Sequence, residues 1–213
     1  MKKYIYFTLL CITVITCKAQ SPIYDISEPH SEKTSGSYFK DLNGNLDGYD
    51  GTYSYHNSYY DSVFGIYIST ELIIVLKKKV LSHGYYYEDL IVGEFQLKRN
   101  GSIVINTLPN INTNYTNEKI NHAIKGHRII TGTGYGCPDC LPTEKRLRLS
   151  LIDSMSPNIV GLDIRKTTVN GAPAIKVLIF GQESDFVRSA NGDLSTSSRM
   201  LDPGEYLMIK QSF

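Results

Sequence analysis

The chain has 213 residues, with 22 Lys+Arg against 21 Asp+Glu. That length fits one domain with its ends. The balanced charge excludes a bulk polyelectrolyte and lacks the concentrated basic face of a nucleic-acid binder. Hydrophobic residues at 41% and charged residues at 20% exclude a disordered chain, and 16 Tyr with 17 Gly lean toward strands and turns.

The first element in chain order is an address. Met1-Lys2-Lys3 is a basic start, and Tyr4 to Thr16 is an apolar stretch too short to cross a bilayer as a helix. Together they read as a signal peptide over residues 1–16. The end, Val14-Ile15-Thr16-Cys17-Lys18-Ala19-Gln20, resembles a bacterial lipobox, with Cys17 as the residue that takes the lipid. Thr16 departs from the Gly, Ala or Ser usual before that cysteine, and the rival expectation is plain cleavage after Ala19. Lipidation would hold the mature chain on the bilayer by an acyl anchor. Without an acidic run after Cys17, an outer-membrane lipoprotein facing the periplasm is expected, the alternatives being a soluble periplasmic or a cell-surface protein. The remainder of residues 17–37, with two prolines, several serines and no periodicity, reads as a tether.

Residues 38–213 read as a single all-β domain. Phe64, Ile66 and Ile68 alternate, as do Leu72, Ile74 and Leu76, then Phe95 and Leu97. The same pattern recurs in Leu147, Leu149 and Leu151, in Val160, Leu162 and Ile164, in Ile175, Val177 and Ile179, and in Tyr206 to Lys210. Asn100-Gly101 and Asn170-Gly171 sit between such runs and are read as two-residue hairpin turns, while Asn191-Gly192 lies in a polar stretch and reads as a loop. A weak helical spacing covers Asn112 to Lys125. About nine short antiparallel strands result, which would hide their edges in a lipocalin-like barrel or a sandwich.

Four stretches taken together carry a resemblance. They are Tyr38-Phe39-Lys40-Asp41-Leu42-Asn43 running to Leu46-Asp47-Gly48-Tyr49, then Gly51-Thr52-Tyr53, Tyr87-Glu88-Asp89-Leu90-Ile91-Val92, and Ile209-Lys210-Gln211. With the Cys17 start, the chain resembles a family of uncharacterised secreted lipoproteins of Bacteroidota-type bacteria, a domain of unknown function. That family usually has Gly-Thr-Trp where this chain has Gly51-Thr52-Tyr53. The resemblance implies an all-β domain on a lipid anchor and brings no activity with it. Gly-x-aromatic at the opening of a first strand is also similar to the lipocalin and calycin entry, an analogy three residues long.

Among residues able to carry chemistry, Cys137-Pro138-Asp139-Cys140 stands out. In an oxidising compartment the pair is expected to form a disulfide, because glycines before it and Leu141-Pro142 after it are loop grammar rather than a redox helix start. His122 and His127 lie upstream, so His122, His127, Cys137 and Cys140 are weak metal candidates of zinc-competent types in an unusual order. Asp41 to Gly48 imitates a calcium loop but fails at key ligand positions in both registers and reads as a turn. Tyr53, Tyr55, Tyr67 and Tyr86, from two tyrosine clusters, are possible ligand-binding residues, since a phenol joins a flat apolar face to a polar tip. Lys77-Lys78-Lys79 reads as a solvated strand edge. Hydrolase, metalloprotease, P-loop and dinucleotide signatures are absent from the sequence.

The expectation is a non-enzymatic envelope lipoprotein without cofactor. It would bind a small apolar or sugar-like ligand or an envelope protein partner, and no nucleic acid. The alternatives are a cell-envelope hydrolase-type enzyme or a metal module built on the His122 to Cys140 region.

Overall fold

The computed structural model describes residues 22–31, 33–115, 121–133, 137–152, 159–180, 186–188, 194–196 and 201–211. The signal peptide, Cys17, residues 116–120 of the helical spacing and the Asn191-Gly192 loop lie outside them; Ile124 and Lys125, read at helical spacing, instead open a strand. Its strands are β1 (Ile23–Asp25), β2 (Ser37–Lys40), β3 (Gly51–Asp61), β4 (Ile66–Ser82), β5 (Tyr86–Arg99), β6 (Ser102–Asn106) and β7 (Ile124–Thr131). They continue as β8 (Lys145–Ile152), β9 (Ile159–Val169), β10 (Ala172–Phe180), β11 (Phe186–Arg188), β12 (Leu194–Thr196) and β13 (Gly204–Lys210). The all-β expectation holds. The count exceeds nine because segments of three to five residues hold too few alternations to stand out in a sequence.

Eight strands close a barrel-like ring in the order β5-β4-β3-β13-β10-β9-β8-β7, with β7 returning to β5. The ring is irregular. Its β3–β13 seam has two registered pairs, Ile209 with Ser54 and Lys210 with Tyr53, and its β5–β7 seam has three, Ile91 to Gly93 against Gly126 to Ile124. Most of the alternating residues named above point inward: Leu72, Ile74, Phe95, Leu97, Leu147, Leu149, Leu162, Ile164, Ile175, Val177 and Met208 form one buried cluster. Phe64 and Ile66 are instead exposed, Phe64 in the turn that precedes β4. Both expected hairpin turns are present. Asn100 and Asn170 take φ of 50°, each followed by a glycine at positive φ, the conformation a two-residue hairpin with matching twist demands.

The sheet is mixed, since β1 pairs parallel with β2 and β2 parallel with β5. Much of the stretch read as a tether is therefore docked on the ring. Parallel pairing of such short strands leaves no alternation to read, and the docking rests on ring contacts instead. His30 stacks on Tyr86 at 4.6 Å between centroids and meets Phe39 edge-on at 4.2 Å.

One end of the ring is plugged. The loop after β2 turns Leu46 and Tyr49 into the core. Asp41 fixes the turn, its carboxylate accepting from the backbone N–H of Asn45 and of Leu46, both at 2.8 Å. Lys78 Nζ lies 3.1 Å from Asp41, 2.8 Å from Asp47 and 4.0 Å from Asp89. The cation this acidic loop faces is thus the chain's own ammonium. The lysine run does lie on an edge of β4, beyond the β3 pairing that ends at Leu76, but of the three only Lys77 is exposed there, and Lys78 is drawn onto the plug loop.

Candidate functional site

At the opposite end the ring is open. Pairing of β3 with β13 stops at Ser54, whereas β3 and β4 stay paired in full to Asp61 and Ile66. The hairpin therefore runs past the ring, carrying its core-facing side with it. That side holds the cross-strand pairs Tyr55–Leu72, Asn57–Thr70, Tyr59–Ile68 and Asp61–Ile66, which alternation places on one face. A cleft of about 400 Å³ lies against it, closed on the far side by Arg99, Asn100, Asp202 and Tyr206.

The cleft's parts are held from below. The Tyr206 ring packs edge-to-face on Tyr55 at 4.9 Å, and its hydroxyl donates to the Asp202 carbonyl at 2.8 Å. Burial, then the neighbouring Asp202 charge, pushes the Tyr206 phenol up to about 12, so it stays a neutral donor at any physiological pH. Asn100 accepts from the Ser69 N–H at 2.8 Å, pinning the β5–β6 turn to β4. Arg99 Nη2 lies 3.4 Å from Asp202 Oδ2. Flat phenol faces beside a guanidinium, a carboxylate and an amide make a surface able to stack on a ring while exchanging hydrogen bonds with hydroxyls.

Of the four tyrosines singled out in the sequence, Tyr55 lines this cleft, while Tyr53 is one layer deeper in the core, its hydroxyl donating to the Tyr49 carbonyl at 3.0 Å. Tyr67 is on the outward face of the hairpin against Tyr60. Tyr86 is at the plugged end, sandwiched between His30 and His83. Asn57, Arg99 and Asp202 are cleft residues the sequence reading passed over, and Tyr59 belongs to the first tyrosine cluster but not to the four residues singled out from the clusters. Tyr59 was legible from its alternation with Tyr55, but nothing local draws Asp202 toward Arg99, over a hundred positions away.

The four metal candidates do not come together. Cys137 and Cys140 form the expected disulfide, beside Arg165, whose guanidinium pairs with Asp139 at 2.8 Å. That hydrogen bond holds the Asp139 carboxyl below its ordinary range. His122 is fully buried, with Nδ1 2.8 Å from Glu94 Oε1 and its ring edge-on to Tyr115. His127 Nδ1 instead lies 3.8 Å from Oε2 of a different buried acid, Glu88, which also meets His83 at 2.8 Å and His30 at 3.6 Å. Both acids are on the outward face of β5, where loops cover them, and histidine partners make that burial tolerable. Among the described residues no group of three or more His, Cys, Asp or Glu is arranged to hold a metal ion.

A family model described as a family of unknown function (DUF6705) matches residues 1–211. No curated protein matches the chain, and no solved structure does.

Proposed function

The chain belongs to DUF6705, a family of unknown function, and from that starting point we propose that it is a non-enzymatic, lipid-anchored protein of the cell envelope. It binds a small sugar-like, amphipathic ligand in the cleft at the open end of the ring. The observation that carries the reading is the cleft's composition: Tyr55, Tyr59 and Tyr206 beside Asn57, Arg99 and Asp202. Aromatic faces supply stacking to the apolar side of a sugar ring, and the planar polar groups address its hydroxyls. The signal-like start and the lipobox-like Cys17 support the envelope position, facing the periplasm from the outer membrane.

Glycan-array screening of the full chain, followed by titration calorimetry on any hit, tests this. Tyr59 is half-exposed and adds little to the core, so Tyr59→Ala is expected to weaken the hit roughly five- to tenfold with the fold unchanged, as the loss of one stacking face implies. A hit indifferent to Tyr59→Ala and Arg99→Ala, or no saccharide bound at all, overturns the assignment.

A further inference from the structure

The β3–β4 hairpin does not end at the cleft. Its tip carries Val63 and Phe64, 84% and 74% exposed, with Tyr59, Tyr60, Ile66 and Tyr67 just behind them and at least half-exposed or nearly so. From Asn57 to Ser69 the sequence holds a single formally charged side chain, Asp61. That carboxylate is turned back into the hairpin, accepting from the backbone N–H of Val63 at 2.9 Å and of Phe64 at 3.2 Å. Gly65 completes the turn at φ 65°, its N–H donating to the Asp61 carbonyl at 2.8 Å. The one charge is thus spent on shaping an apolar apex.

We propose that this apex inserts into the surface of a lipid bilayer. Apolarity on every side distinguishes a lipid occupant from a protein one. Tyr59 and Ile66 lie on the cleft-facing side, Tyr60 and Tyr67 pair on the other at 5.1 Å, and Val63 and Phe64 are exposed in the turn between the strands. A docked protein or second copy covers one face, whereas lipid surrounds the tip. The residues are also graded by depth. Val63 and Phe64 sit in the turn, and Ile66 and Tyr67 open the strand behind it. That places aliphatic and phenyl groups at the acyl boundary and phenols at headgroup level, where amphipathic rings are enriched.

The ring itself stays outside the bilayer. Its outward face on β8 to β10 and β13 carries Arg148 bidentate to Asp163 at 2.6 and 2.7 Å, and Lys176 paired with Glu205 at 3.0 Å. No lysine or arginine lies at the tip, so insertion does not depend on anionic lipid or low salt.

Geometry adds a consequence that rests on the anchor reading above. β1 lies beside the far end of β4, since Ile23 pairs with Tyr38, Tyr38 with Tyr87, and Tyr87 with Ser82. The tip at Ile66 is sixteen residues up the same strand, about 50 Å away. An acyl group on Cys17 and the apex would then hold the ring at two separated points and lay it along one membrane, each contact raising the effective concentration of the other.

The chain contains no tryptophan, so Phe64→Trp creates a unique reporter. The test uses the full chain carrying Cys17→Ser, which removes the acylation site, with phosphatidylethanolamine/phosphatidylglycerol vesicles, with and without bromine-labelled acyl chains. Trp emission is expected to shift to the blue on vesicles and to be quenched by the brominated lipid, equally at low and high salt. Adding Val63→Asp should abolish both effects. A reporter at the opposite end, Tyr85→Trp, where the side chain is 78% exposed, should show neither. Emission indifferent to vesicles overturns the proposal, as does a shift that appears without lipid and follows protein concentration, which would assign the tip to a second copy. The glycan assay is read without lipid, and Val63 and Phe64, changed in the vesicle test, are not among the cleft's lining residues, so either result can fail alone.

Discussion

Four phenols, those of Tyr38, Tyr49, Tyr53 and Tyr206, are pushed up to about 12, burial being the largest cause in each. For Tyr38 the Asp89 carboxylate, which accepts its hydroxyl at 2.6 Å, adds to the effect. A raised folded value means that the neutral phenol is favoured by the fold. Its contribution is complete below the unfolded value near 10 and is lost as pH rises toward 12. An absorbance titration of tyrosinate should therefore show most rings ionising at ordinary pH and a delayed group ionising with unfolding. All rings titrating together in a folded chain would contradict the burial described. Lys78 works in the same alkaline window. Burial alone would lower its pKa, but hydrogen bonds to Asp47 and Asp41 outweigh it, so its ion pairs persist below 10.5 and fail as pH climbs through the raised value. Asp47, held down by the hydrogen bond from Lys78, has the opposite sign: its contribution is present above the ordinary carboxylate range and lost as pH falls through the depressed value. Replacing the lysine by Lys78→Met leaves Asp41 and Asp89 buried without their cation, and should cost about 3 kcal/mol in denaturant unfolding at neutral pH. This role was not legible in the sequence. Three consecutive lysines look alike on a strand edge until the plug loop supplies partners for the middle one, from 31 and 37 positions upstream.

At the scale of the element, the two Asn-Gly turns share one backbone solution but differ in what the asparagine side chain does. Asn100 bonds the Ser69 N–H, whereas Asn170 only occupies φ 50°. Asn170→Gly should therefore leave stability within a few tenths of a kcal/mol, and Asn100→Gly should cost about 1 kcal/mol, the worth of a lost hydrogen bond. Equal melting temperatures for the two variants would show that the Ser69 bond contributes nothing. Period-2 alternation located the long strands well, because one side of each is packed and the other is not. It failed where that contrast vanishes. β5 is buried on both faces, its outward Leu90 and Val92 packing with Leu81 and Ile111 and its outward Glu88 and Glu94 covered by histidines. The cleft was half legible. Its tyrosines were visible as a cluster, but which of them line a concavity depends on where β13 stops pairing, and that is a property of two segments about 150 residues apart.

For the molecule as a whole, the narrow seams decide what holds the ring closed. Gly93 stands at one of them, paired with Ile124. A Cβ there would come within 2.7 Å of Leu76 Cδ2 and 2.8 Å of the Val75 carbonyl oxygen. Backbone cannot yield as a side chain tip does, so Gly93→Ala should cost about 1–3 kcal/mol and raise hydrogen exchange of the Ile91 to Gly93 amides ahead of the rest of β5. Protection unchanged at those amides would place the ring's weak point elsewhere.

The same two seams divide the chain into neighbourhoods. β3 to β6 join one another through tight turns, and β7 to β10 with β13 form a second set. Each is built of partners near in sequence, so little entropy is spent bringing them together. Of the two clasps between the sets, β5–β7 joins residues 31 to 35 apart, much like β10–β13 within its set. The β3–β13 clasp joins residues 155 or 157 apart, which makes closure at that seam a late event in folding. The plug loop and the open cleft, at opposite ends, are then the products of that last step, since neither exists until the halves meet.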